Sequence, residues 1–156
     1  MSPYDLTKMQ GMFELVKISV PAVYKNVKRL ENGGYLQSET QKTGNMPEKK
    51  VYSLTEKGDA RFRELLLACL TNPINFFFDF NVSLLFVNSV DRATGARLIS
   101  VAKSQLEMRK SYLANQVEKF QHMPFPIVNL GKQQLKLSEV LLQWLDEFER
   151  EFLAQK

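Results

Sequence analysis

The chain holds one cysteine, Cys69, among 156 residues. An intramolecular disulfide and a cysteine-based zinc cage are therefore excluded. There is also one histidine, His122. Any Ser–His–Asp or Cys–His site would have to use it, and no GxSxG nucleophile motif is present. His122 stands beside Met123 and Pro124 with no clustered acids, and reads as a surface residue at a helix end. Neither GxGxxG nor GxxxxGK[ST] occurs, so no phosphate-cradling glycine loop is expected. The N-terminus lacks a basic-then-apolar signal segment. The most apolar stretch, "INFFFDFNVSLLFV", is interrupted by Asn75, Asp79, Asn81 and Ser83. It falls short of the about 20 apolar residues that cross a bilayer. These absences predict a soluble cytoplasmic protein with no membrane partner, no metal, no cofactor and no enzymatic activity.

What is present is ordinary globular composition, 44% hydrophobic and 24% charged, enough for one domain or two small ones. The net charge of +4 permits an anionic partner without requiring one. Residues 1–70 hold eleven Lys and Arg against eight Asp and Glu, whereas residues 71–156 hold ten against nine. The basic excess thus lies mostly in the first half.

Tyr4, Leu6, Met9, Met12, Phe13 and Val16 recur at helical spacing and predict a short helix over 4–16. In "ISVPAVYKNVKRLENGGYL", Ser19 precedes Pro21, a residue favoured in the first helical turn. A second helix should run to about Asn32 and stop in left-handed backbone at Gly33-Gly34. Two helices joined by a short turn form a helix–turn–helix. On the second helix Val23, Val27 and Leu30 share the inward face, and Lys25 and Lys28 lie opposite, flanked by Tyr24 and Arg29. A lone basic face is ordinarily just solvated; the strand-like segments downstream change that reading.

Leu36–Gln41 and Val51–Leu54 have strand character, separated by "KTGNMPEKK" with its turn formers Gly44, Asn45 and Pro47. A β-hairpin wing is expected, with Lys42, Lys49 and Lys50 at its free end. Thr55 should cap a third helix, with Gly58 near its first turn and Phe62, Leu65, Leu66 and Cys69 along one side. Cys69 reads as a small buried residue. Asn72-Pro73 closes this unit, which places domains at 1–72 and 73–156.

The second half reads as helical throughout. An apolar helix is expected over 74–90, and Asp91 should cap a longer one to about Gln121. "MPFPIVNLG" reads as a connector, and 137–154 as a final amphipathic helix with Leu137, Leu141, Trp144, Leu145, Phe148 and Phe152 inward. Such wide apolar stripes exceed what a small lone bundle covers, so a dimer interface is expected.

"YDLTK", "VYKNVKRLENGGYL" and "KKVYSLTEKG" stand in an order and spacing that resembles the PadR-type winged helix–turn–helix transcriptional regulators. The AphA-like, virulence-activator-like group with a longer helical C-terminal domain is the best fit. The resemblance is specific across residues 4–70 and only architectural beyond them. It implies a mainly α fold with a small β-hairpin wing: a DNA-binding domain followed by an α-helical dimerisation domain. The implied function is that of a homodimeric regulator, a repressor, working on nucleoid DNA in the cytoplasm. The chain departs from the family pattern in two respects. The apolar helix usual before "YDL" has no counterpart, and Pro3 stands where glycine is usual. Either the start is truncated relative to its relatives or the dimer contact is built differently.

On this reading Lys17, Lys42, Lys49 and Lys50 would contact phosphates, and Tyr24 would donate its hydroxyl to one. Lys25, Asn26, Lys28 and Arg29 are the candidates for the major groove, where Asn suits adenine and Arg or Lys suits guanine. Which of the four reach base edges is left open by the sequence. A two-fold dimer implies pseudo-palindromic half-sites. A small aromatic effector is a further expectation, with Phe76, Phe80, Trp144 and Phe148 as candidate lining; the competing reading is a packed dimer core. A protein-interaction adaptor that kept the winged helix and lost DNA binding is the alternative from another functional class.

Overall fold

In the computed structural model, residues 1–7, 18–42, 48–71 and 76–155 are described. The chain divides into two compact units, Met1–Asn75 and Phe76–Lys156. It is mainly α-helical with one two-stranded antiparallel hairpin, as expected.

In the first unit, residues 3–7 are helical. Their start is a capping box. The Ser2 hydroxyl accepts from Asp5 N–H at 3.2 Å and donates to Asp5 Oδ2 at 2.7 Å, while Ser2 N–H donates to the same oxygen at 3.0 Å. The rest of the helix expected over 4–16, and Lys17 after it, lie outside the described residues.

Helix α1 spans Val20–Asn32. Ser19 caps it by accepting from Ala22 N–H, and Pro21 occupies the first turn, where its missing donor costs nothing. Val23 and Val27 are buried, but Leu30 is 38% exposed. The reason is its place at the helix end: its carbonyl takes the N–H of Tyr35 at 2.9 Å as the chain turns away. That bond and Gly34 N–H to Glu31 O, also 2.9 Å, form a Schellman stop. Only Gly34, with φ +71°, is left-handed there; Gly33 keeps a helical φ of −79°.

Strand β1 (Leu36–Gln41) pairs with β2 (Lys49–Leu54) in a register running from Leu36 opposite Leu54 to Gln41 opposite Lys49. β2 thus begins two residues before the expected Val51. Beyond it Thr55 caps helix α2 (Glu56–Thr71): its hydroxyl accepts from Gly58 N–H at 3.0 Å and donates to Gly34 O at 2.7 Å. Lys57 reaches back to Gly33 O at 2.9 Å and lies 4.4 Å from the centre of the Tyr35 ring. The wing's exit is therefore tied to the stop of α1. Along α2 only Gly58 is buried. Phe62, Leu65, Leu66 and Cys69 are all exposed, so Cys69 is not the buried residue expected. A two-stranded hairpin does not reach along four turns of helix.

In the second unit, the helix expected over 74–90 has its first two positions outside the described residues, and over 76–90 it is instead a short α3 (Asn81–Leu85) and a 3₁₀ turn (Val87–Ser89). Asp79 before α3 and Asn88 and Ser89 after it are residue types that compete with helical backbone bonding. Asp91 caps α4 (Arg92–Lys119) through Thr94 N–H at 2.9 Å. The Thr94 hydroxyl and N–H hold the Asp91 carboxyl below its ordinary pKa. Helix α5 spans Phe125–Ala154, so most of "MPFPIVNLG" is helix rather than connector. Pro124 and Pro126 sit at its start, where proline is compatible with helix. α4 and α5 run antiparallel: Arg92 donates to Gln155 O at 2.7 Å, and Lys103 meets both Asp146 (2.6 Å) and Glu149 (2.7 Å). Leu84, Val87, Ile99, Leu145 and Phe152 make the core.

Candidate nucleic-acid interface

Val23 and Val27 bury one side of α1, and helical spacing then turns Lys25, Lys28 and Arg29 outward. All three are exposed and none has a side-chain partner among the described residues. Tyr24 is exposed at the shoulder of this face, and Asn26 is half-buried. Three exposed cations within two helical turns make a surface that attracts polyanions. Their forked or point-charge donors and the amide of Asn26 are the groups that read base edges.

The wing supplies the second element. Lys42 follows β1 and is exposed; Lys50 lies opposite Thr40 and is exposed and unpaired among the described residues. Lys49, its neighbour on β2, points to the other side of the strand. It is held by Asp5, 3.0 Å from Oδ2 and 3.1 Å from Oδ1. The Ser2 hydroxyl, the Ser2 N–H and the Lys49 ammonium together hold the Asp5 carboxyl well below its usual range. Tyr24, Lys25, Lys28, Arg29 and Lys50 are thus exposed and without a side-chain partner among the described residues, whereas Lys49 has an acidic partner in Asp5.

Two residues that position this surface were not read from the sequence. Glu31, at the end of α1, accepts from the Ser38 hydroxyl on β1 and, at 3.5 Å, from the Tyr52 hydroxyl on β2. It joins the basic helix to both strands of the wing. Asp5 joins the wing to the first helical turn, where Met1 O also accepts Tyr52 N–H at 2.9 Å. The S-x-x-D pattern of Ser2 and Asp5 was the available signal for that cap; Glu31 carried none, because its partners lie across the hairpin.

The candidate effector residues fall in the second unit. Phe80 stacks on Phe78 with centroids 5.6 Å apart, and it lines a cavity of about 260 Å³ with Ser83, Leu98 and Leu106. Trp144 and Phe148 touch each other at 5.4 Å between centroids, away from that cavity's lining. Phe76 is exposed. No cluster able to hold a metal ion occurs among the described residues, and none of their helices is long and apolar enough to cross a membrane.

Residues 4–64 match the family model of the transcriptional regulator PadR-like family. No curated protein matches the sequence. Among solved structures, Bacillus subtilis PadR in complex with operator DNA superposes with a TM-score of 0.82 at 21% identity, covering 97% of this chain and 90% of that one. The same protein in complex with p-coumaric acid gives 0.78 at 19% identity, covering 97% and 90%. The PadR-like regulator BC1756 of Bacillus cereus gives 0.77 at 20% identity, covering 100% and 92%. The resemblance read in the sequence is shown by these matches. The chain carries a PadR-like winged-helix domain, and the family is one of DNA-binding transcriptional regulators rather than enzymes.

Proposed function

We propose that this PadR-like regulator binds operator DNA sequence-specifically as a homodimer, with α1 in the major groove and the wing on the sugar–phosphate backbone, and that it represses transcription. The observation that carries the reading is the exposed face of Lys25, Lys28 and Arg29, without side-chain partners among the described residues, on a helix that Glu31 fixes to the wing. Lys25, Asn26, Lys28 and Arg29 would face the major groove; Tyr24, Lys42 and Lys50 would take phosphates, joined by Lys49 and Lys17. The operator-bound structure of Bacillus subtilis PadR supports DNA as the partner.

A second copy of the chain is the partner of the second unit. Val101, Met108, Val140 and Trp144 on α4 and α5 are each at least 40% exposed. Exposed apolar side chains of this size on the two long helices are candidates for a subunit contact. A two-fold dimer would place two copies of α1 on half-sites one helical turn or a multiple apart, on pseudo-palindromic DNA. Domain boundaries near residue 72 assign DNA contact to residues 1–72 and dimerisation to 73–156. The p-coumaric acid complex of Bacillus subtilis PadR supports an aromatic effector here, with Phe80, Trp144, Phe148 and Phe76 as candidates.

The test is recovery of genomic fragments bound by the purified protein, followed by gel shift on the enriched sequence. A shared inverted repeat bound more tightly than scrambled DNA supports the reading. Absence of enrichment, or affinity independent of salt, would instead favour an adaptor role.

A further inference from the structure

We propose that Asp5 acts as an internal competitor of DNA phosphate: it clasps Lys49 of the wing to the first helical turn, and DNA must open this clasp to engage that lysine. Two links make the clasp. Lys49 Nζ lies 3.0 Å from Asp5 Oδ2 and 3.1 Å from Oδ1, so both carboxylate oxygens accept from one ammonium. Tyr52 N–H, on the same strand, donates to Met1 O at 2.9 Å. The carboxylate is anchored from its own side. The Ser2 hydroxyl and N–H donate to Oδ2 at 2.7 Å and 3.0 Å, so Asp5 stays with the first turn when the lysine leaves.

An ammonium meets in a carboxylate what it meets in a phosphodiester: a single negative charge shared between two oxygens. The two acceptors therefore compete for the same donors. Both side chains of the pair are partly exposed, and such ion pairs are weak. The clasp thus lowers the affinity of the wing for DNA without abolishing it. Lys50, the next residue on β2, has no partner among the described residues and needs no such opening.

The coupling is reciprocal by linkage. DNA that takes Lys49 loosens residues 1–5 from β2, and anything that presses the first turn onto β2 weakens binding to DNA. Opening by DNA rests on the DNA-binding reading; the clasp itself does not.

The test uses the full chain and a short labelled duplex of mixed sequence at low salt, where phosphate contacts dominate binding. Fluorescence anisotropy is measured for the parent, Asp5→Asn, Lys49→Ala and the double variant. Asp5→Asn should tighten binding about twofold to fivefold in the parent, the range an exposed ion pair spans. The gain should vanish once Lys49 is alanine, apart from the general effect of one charge, which Glu48→Gln measures. Amide exchange gives a second readout. Duplex should speed exchange at Tyr52 in the parent, and in Lys49→Ala that amide should exchange fast with or without duplex. The proposal is overturned if Asp5→Asn gains no more than Glu48→Gln, if its gain is equal with and without Lys49, or if duplex leaves Tyr52 exchange in the parent unchanged. Those results leave the DNA-binding reading standing. No binding of duplex by any of these proteins removes both.

Discussion

A β-carbon built on Gly58 stands 1.9 Å from the carbonyl oxygen of Tyr35. That oxygen is fixed, because it accepts Thr55 N–H at 3.1 Å. The glycine of "KKVYSLTEKG" therefore lets the start of α2 close against the exit of α1. Gly58→Ala must move backbone, and a loss of about 1–3 kcal/mol is expected, the usual range for overpacking. Chemical denaturation followed by circular dichroism measures it. Gly34→Ala, at φ +71°, should cost about 1–2 kcal/mol through backbone strain. A Gly58→Ala protein as stable as the parent would mean that the junction is not held as described.

Such local grammar explains how much was legible beforehand. Ser19, Pro21, Gly34, Thr55 and Asp91 mark element ends through bonds to neighbours a few residues away, and α1, the hairpin and α4 appear where those residues put them. Long-range pairings carry no such mark. Lys49 read as a free cation because Asp5, its partner, lies 44 positions away. Cys69 and Leu66 read as buried because helical spacing identifies an apolar face but not whether anything covers it. "MPFPIVNLG" read as a connector although Pro124 and Pro126 stand at the start of a helix, since proline suits the first turn of a helix as well as a loop.

Lys25 and Arg29 are one helical turn apart on the exposed side of α1 and support no part of the fold. Lys25→Ala with Arg29→Ala should therefore leave the circular dichroism spectrum and thermal midpoint unchanged. Each base contact removed costs about 1–3 kcal/mol, so specific binding should fall to the level of scrambled DNA. Fluorescence anisotropy on both DNAs measures this, and unchanged discrimination between them would remove α1 from the major groove.

The two wing lysines are predicted to differ. Lys50 is unpaired among the described residues, so Lys50→Ala should weaken binding to all sequences alike and flatten the dependence of log K on log salt by about one unit. Lys49 already has Asp5 at 3.0 Å, so Lys49→Ala alone should flatten the slope less. Asp5→Asn keeps the polar cap and releases Lys49, which should steepen the slope. Salt titrations of the three variants give the order. Equal slopes for Lys49→Ala and Lys50→Ala would show that the ion pair opens freely on DNA.

Asp5 also predicts a pH dependence. Its folded-state pKa is depressed, first by the Ser2 hydroxyl and N–H and then by Lys49. A depressed carboxyl stabilises the fold above its unfolded-state pKa and loses that contribution as pH falls through the folded value. The stability difference between the parent and Asp5→Asn should accordingly stay flat from neutral pH to about pH 5 and shrink below about pH 4. The same variant cancels the parallel contribution of Asp91, which is present in both proteins. Denaturation at stepped pH is the measurement. A difference that changes between pH 7 and 5 would assign the shift to another group.

Neighbouring residues on α5 separate folding from assembly. Leu145 is fully buried in the core with Ile99 and Phe152, whereas Trp144 beside it is 40% exposed. Leu145→Ala should destabilise the second unit by about 2–5 kcal/mol through lost contacts and the cavity left behind. Trp144→Ala removes little from that core. If its exposed ring is covered by a second copy, the variant should elute as a monomer in light-scattering chromatography while keeping its helical spectrum. Its thermal midpoint should also become independent of protein concentration, because unfolding is no longer linked to dissociation. A Trp144→Ala protein that remains dimeric at micromolar concentration would place the subunit interface on another face of the helical unit.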